Sequence, residues 1–194
     1  MDEGLAKIRH TRSKKDFPFL RLEDDEYVEY AFQRAKICLV MIFGGVALGL
    51  ILILLTALVV LAGQSELDNM GQRFLYIILA VLIVMALLIG LTALVIYRGN
   101  RLFVTNKHVI QMVMKTPVAT SVNMIDLASI EDASFRQDGL MQKMFHYGTL
   151  RLSTVGDETT YTFEYSDVSP SDLKGVSKLI TDAKKEKKRI SLRL

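Results

Sequence analysis

Two long apolar runs limit what this chain can become. Residues 37 to 62 pass through 26 positions without a charged side chain, and residues 74 to 97 pass through 24. A helix needs roughly 20 apolar residues to cross a hydrocarbon core of about 30 Å. A core helix of a soluble protein rarely runs so long without a charge. The chain is 51% hydrophobic with a mean hydropathy of +0.28, and the excess sits in these runs. The sequence therefore predicts a membrane protein with two spans, 37–62 and 74–97.

Charge sets the expected orientation. Arg34 and Lys36 abut the first span, and Arg98 and Arg101 follow the second. The connecting segment "GQSELDNMGQR" holds Arg73 against Glu66 and Asp68. Positive residues stay on the cytoplasmic side, which places both termini inside the cell (inner or plasma) membrane and the loop outside. A cleavable signal would carry an apolar core of about 7–15 residues near its start; here 36 polar and mixed residues come first. The single cysteine, Cys38, excludes an intrachain disulfide. It reads as a small lipid-facing residue, with reversible acylation as the alternative.

The short link makes the spans an antiparallel hairpin. Gly45 and Gly49 form a GxxxG, and Ala86 and Gly90 a small-xxx-small at matching depth. Small residues let helix backbones approach in lipid, where no hydrophobic effect drives association. These four residues are expected to line the hairpin contact. Neither run contains Asp, Glu, Lys, Arg or His, the residues that mark ion and substrate pathways. By itself the hairpin is an anchor.

After residue 97 the pattern changes to short strands. "RLFVT", a turn at Asn106-Lys107, "HVIQMVM", a break at Pro117, "VATSVNM" and "IDLASIEDASFR" follow one another. "TLRLSTV" puts Leu150, Leu152 and Thr154 on one face, "GDE" at 156–158 turns, and "TTYTFEY" puts Tyr161, Phe163 and Tyr165 on one side. Ser169, Pro170 and Asp172 then start a helix as N-cap, first position and dipole partner. Leu173, Val176, Ile180 and Ala183 form its apolar stripe. Short strands closed by a terminal helix suggest a small barrel or sandwich.

The segments "FVTNKHVIQ", "IDLASIEDASF", "LMQKMFHYGTLRLSTVG" and "FEYSDVSPSDLKGVSKLI", with the lead-in "LEDDEYVEYAFQRAK", resemble the bacterial pleckstrin-homology (PH-like) family. That family was formerly a domain of unknown function and is usually found behind paired membrane helices. The resemblance covers most of residues 22 to 182. It implies an α+β membrane protein, in which a two-helix hairpin precedes a cytoplasmic PH-like β-barrel or sandwich capped by a C-terminal α-helix. Tyr147, Gly148 and Thr149 match the family's Y-G-T, whereas Gln142 and His146 stand where the family often has glycine. Lys115-Thr116 replaces a usual glycine turn after the second strand.

No HExxH, CxxC or paired-histidine spacing occurs, nor a GxSxG or phosphate-cradling glycine loop. His10, His108 and His146 read as ordinary residues, with His146 a candidate pH-sensitive contact. No catalytic residue, cofactor or metal is expected, and a non-enzymatic protein is. The tail "AKKEKKRISLRL" carries six basic residues and one acid. Lys184, Lys185, Lys187, Lys188 and Arg189 are candidate contacts to anionic lipid, or else a solvated helix end. Without interleaved aromatics, nucleic acid is not expected. Met141, Met144 and Phe145 fall at helical spacing before Gly148. They either plug one barrel opening or form a patch that docks a partner.

The expected organisation is a cytoplasmic leader at 1–36, disordered to about Asp16, the hairpin at 37–97, a PH-like domain at 98–183 and a basic tail at 184–194. The expected function is a binding or assembly module at the cytoplasmic face, for a protein partner or for itself. The alternatives are anionic-lipid sensing by the tail, or an accessory role in a larger membrane complex.

Overall fold

The computed structural model describes residues 2–62, 69–154 and 160–192. The expected turn at 156–158, most of the span-connecting loop and the last two residues of the tail lie outside the described residues. Helix α1 (Asp2–Asp16) leads into strand β1 (Val28–Gln33), and then come the apolar helices α2 (Ile37–Ala62) and α3 (Asn69–Gly99). Strands β2 (Arg101–Thr105), β3 (His108–Thr116) and β4 (Ala119–Asp126) follow, with a 3-10 turn at Leu127–Ser129. β5 (Ile130–Arg136), the short α4 (Leu140–Met144), β6 (Gly148–Thr154), β7 (Thr160–Ser166) and α5 (Pro170–Ser191) complete the chain. α2 and α3 are both long and apolar enough to cross a membrane.

Among the described residues the strands pair antiparallel, in two sheets of order β1-β2-β3-β4 and β5-β6-β7. Their alternating side chains meet in one core. Phe32, Leu102, Val104, Val109 and Ile125 come from the first sheet, and Ile130, Leu150, Leu152 and Phe163 from the second. Val176 and Ile180 of α5 seal it, with Leu173 and Ala183 packed alongside, so the predicted stripe is the buried face. Gln111 is buried between the sheets, and its Nε2 donates to the Thr162 carbonyl at 2.7 Å. That bond satisfies an amide whose burial would otherwise be costly. Ser169 and Asp172 cap α5 reciprocally: the Asp172 N–H donates to Ser169 Oγ at 3.2 Å, and Ser169 N–H to Asp172 Oδ2 at 3.4 Å.

Two features differ from the sequence reading. The leader is helical and docked, although α1 lacks an apolar stripe. Contacts from distant residues hold it: Val28 N–H donates to Ser13 Oγ at 3.0 Å, and Arg9 pairs with Glu29 at 3.0 Å. The first sheet also starts before the helix pair. β1 pairs with β2 in the register Phe32–Leu102 and Gln33–Arg101, so strands on either side of α2 and α3 are hydrogen-bonded neighbours. Leu20 and Leu22 then fold over Phe103 and Ile110 on the sheet's outer face, with Phe17 packed beside them.

Candidate functional site

Strand direction shows which parts of the domain lie at the foot of the helix pair. β1 runs into α2, and β2 runs out of α3. β3 returns toward the helices, where Asn100 fastens it: Asn100 Nδ2 donates to Ile96 O at 2.6 Å and to Met114 O at 3.1 Å. Met114 lies against Gly99, where a Cβ would stand 2.5 Å from its sulfur. The turn at Pro117–Val118 lies beyond that point, on the helix side. The second sheet reaches the same level. Ser166 at the end of β7 bridges Arg34 and pairs with Gly148, so the β5–β6 connection carrying α4 also sits at the foot.

A cleft of about 830 Å³ opens there, lined by β1, the ends of α2 and α3, and the start of α5. Arg34, Lys36, Arg98 and Arg101 contribute cations, and Glu29, Asp167 and Asp172 carboxylates. Among the described residues none of the four cations has a carboxylate within ion-pair distance. The guanidinium of Arg34 lies 5.8 Å from the Tyr165 ring centre, and that of Arg101 lies 5.5 Å from Phe19, a favourable cation–π arrangement. Tyr97 Oη donates to the Arg34 carbonyl at 3.0 Å, and Ala35 N–H to the Tyr165 carbonyl at 2.6 Å. Arg34 Nε is buried, with no hydrogen-bond partner among the described residues.

The expected patch lies at this same end. Met141 (54% exposed), Met144 (56%) and Phe145 (42%) all face outward. They do not plug an opening in the core; together with the exposed Leu140 and Val118 they form two apolar tips at the helix foot. Local backbone explains the projection of α4. Gly139 has φ +105° and His146 φ +54°, so the connection turns sharply at both ends. His146 adopts the left-handed conformation that glycine takes without strain. Tyr147 and Gly148 are buried beneath it, and a Cβ on Gly148 would stand 2.5 Å from the Arg136 carbonyl.

The basic tail lies elsewhere. α5 starts at the foot and runs away from it, and Lys187 is 15 residues beyond Asp172, about 22 Å along a helix axis. There Lys187 Nζ meets Asp126 Oδ2 at 3.1 Å, and Lys184 Nζ donates to Glu131 O at 3.1 Å. Lys185 lies 4.0 Å from Asp182, and Lys188 and Arg189 are exposed. Composition gave these residues a common role, yet the topology carries them to the end opposite the helices. The hairpin set also separates. Gly90 packs directly on Val46, whereas Cβ atoms on Gly45 and Gly49 would meet nothing within 4 Å; Ala86 is half-buried.

A network of buried polar groups at the far end was missed. Glu26 is fully buried, and its carboxylate accepts from Thr105 Oγ1 at 2.6 Å and from Glu23 N–H at 2.9 Å, with His108 Nδ1 at 3.0 Å. Burial alone would raise its pKa; the bonds from Thr105, Glu23 and His108 outweigh that and hold the carboxyl below its usual value. Within "LEDDEYVEY" nothing distinguishes Glu26 from its acidic neighbours. The cleft has a partial signal in the sequence, the four basic residues that bracket both apolar runs and that also set the expected orientation. Among the described residues no group of three His, Cys, Asp or Glu is placed to hold a metal ion.

Paired antiparallel sheets sealed by a C-terminal helix, with two apolar helices inserted between the first two strands, define an α+β protein of pleckstrin-homology type. A family model described as "Bacterial PH domain" matches residues 17–184, and the chain belongs to that family. Among solved structures it is similar to a DUF1696 family protein with a pleckstrin-homology domain from Shewanella loihica PV-4. The two are 18% identical, the match covers 44% of this chain and 70% of that one, and the TM-score is 0.32. No curated protein matches.

Proposed function

We propose that this chain is a two-span membrane protein whose PH-like domain serves as a non-enzymatic binding and assembly platform on the cytoplasmic face. The pairing of β1 with β2 carries this reading. A domain hung from one helix end swings on its linker. Here strands entering and leaving the helix pair share a ladder, so the domain is fixed to the foot and presents a constant face to the membrane. The functional unit then comprises residues 17–36 together with 98–184, broader than 98–183 alone.

The two apolar tips fit the leaflet beside the spans. Leu140, Met141, Met144, Phe145 and Val118 project at the level where the uncharged helices begin, where lipid replaces water as their surroundings. Protein binding falls to surfaces away from the leaflet. β4 is an edge strand with Val122 and Met124 exposed on its outer face, which suits a partner strand or a second copy. The ion-paired tail at the far end is less suited to holding the leaflet.

Topology is tested by thiol labelling of intact cells. Cys38→Ser supplies a cysteine-free background, into which Gln72→Cys and Ser191→Cys are placed separately. Labelling of Gln72→Cys from outside, and of Ser191→Cys only after permeabilisation, is expected. The reverse pattern rejects the orientation, and release of the chain by alkaline carbonate rejects the anchoring.

A further inference from the structure

We infer that the cleft at the helix foot is a binding site for the phosphate of an anionic phospholipid headgroup. The inference deepens the membrane-platform reading and rests on it. Three observations converge on a phosphate-bearing ligand.

First, the charge is unspent. Four cations line one cleft without a carboxylate partner among the described residues. Of the three carboxylates, Glu29 is paired with Arg9 at 3.0 Å, and Asp172 accepts from Ser169 Oγ at 2.7 Å. Asp172 keeps its charge, so two carboxylates, Asp167 and Asp172, are left to oppose four positive groups. Second, Arg34 is held in place by an aromatic face and two backbone contacts, yet its buried Nε has no acceptor. A buried donor without a partner costs free energy, and a phosphate oxygen is the acceptor that guanidinium groups match best. Third, the cleft lies where the apolar stretches of α2 and α3 end, with Leu39 and Tyr97 in its wall. In a bilayer this is headgroup depth, so a lipid phosphate arrives with its acyl chains already beside the helices. A volume of about 830 Å³ accommodates a phosphodiester with its glycerol.

The shared chemistry is a phosphate monoanion, available from a lipid or from solution, and the test separates the sources. The full chain is reconstituted in vesicles of phosphatidylcholine with and without phosphatidylglycerol. It is then extracted in mild detergent and weighed intact by native mass spectrometry. The wild type is expected to retain one phosphatidylglycerol. The variant Lys36→Gln/Arg98→Gln, built on two exposed side chains so that the fold is spared, is expected to retain about thirtyfold less. The equal charge change Lys188→Gln/Arg189→Gln, at the opposite end, is expected to retain as much as the wild type.

Equal retention by wild type and cleft variant would overturn the inference, as would loss confined to the tail variant. Displacement of the lipid by millimolar inorganic phosphate would make free phosphate the ligand and overturn the lipid assignment. Failure of the underlying reading looks different: alkali then releases the chain from the vesicles altogether. A chain that stays with the vesicles but selects no lipid refutes the cleft site alone.

Discussion

Glu26 Oε1 and His108 Nδ1 lie 3.0 Å apart across 82 residues of sequence, an interval that contains both apolar helices. Thr105 Oγ1 closes the arrangement by donating to the same Glu26 oxygen and accepting from His108 N–H at 2.7 Å. His10 of α1 reaches the Glu26 carbonyl at 2.5 Å. The leader, β1 and the β2–β3 turn are thereby fastened at the end of the domain farthest from the helix foot.

This clasp predicts an acid-sensitive fold. Glu26 has its pKa lowered in the folded state, so its ionised form stabilises the domain above the ordinary range of a free carboxylate. That contribution is lost as pH falls through the lower, folded-state value. Denaturant unfolding of the full chain in detergent should show stability constant from neutral pH to about 5 and falling below it. Glu26→Gln should cost about 1–3 kcal/mol at neutral pH, because an amide cannot accept from all three donors. It should also flatten the acid limb. An unchanged limb would place the sensitivity in other carboxylates, with Asp126, lowered by Ala128 N–H and Lys187 against its own burial, the next to test.

Hairpin packing should be asymmetric. A Cβ on Gly90 would stand 2.7 Å from Val46 Cγ2, whereas Gly45 and Gly49 have open space. Gly90→Ala should destabilise the helix pair by about 1–3 kcal/mol, and Val46→Ala in the same chain should restore most of it. Gly45→Ala and Gly49→Ala should be close to neutral. Thermal unfolding in detergent, followed by circular dichroism, ranks the four variants. Equal effects at all three glycines would instead restore the GxxxG contact.

How much of this was legible in the sequence depends on the range of the interactions. α2 begins and ends where the uncharged run does, because absence of charge is a local signal. α3 starts earlier, at Asn69, since the helix continues through polar residues that composition alone assigns to a loop. Period-two alternation located β6, with Leu150 and Leu152 buried as read. On β7 it failed at Tyr165, whose φ of +56° turns the ring out to stack on Tyr147. The leader helix was illegible, and the foot cleft showed only its four bracketing cations, because the contacts that assemble them are non-local. Arg9–Glu29 joins residues 20 apart, and the β1–β2 ladder spans the whole helix hairpin; no local pattern records either pairing.

The seat of α5 should depend on one glycine. Gly175 lies directly against the Tyr30 hydroxyl and ring, leaving no room for a methyl group. Gly175→Ala should therefore push α5 off β1 and lower stability by about 1–3 kcal/mol, despite alanine's better helix propensity. Combining it with Tyr30→Ala should recover part of the loss, and the same denaturant series measures it. A neutral Gly175→Ala would mean that α5 packs farther from β1 than the structure shows.

The two apolar tips make the sharpest prediction, because the chain contains no tryptophan to obscure a reporter. Met144→Trp and Val118→Trp, introduced singly into the full chain, should fluoresce at blue-shifted wavelengths in vesicles. Lipids brominated along their acyl chains should quench them. Leu54→Trp, within α2, reports on the span itself and should be quenched most; Leu192→Trp, beyond the end of α5, should be quenched least. If Leu54→Trp is quenched and Met144→Trp is not, the spans are in the bilayer but the α4 tip is in water. Its methionines and Phe145 would then be the docking surface for a protein partner, since exposed apolar clusters of this kind seldom persist without a function. Quenching at both tips would assign them to the leaflet and leave the β4 edge as the free apolar surface for assembly.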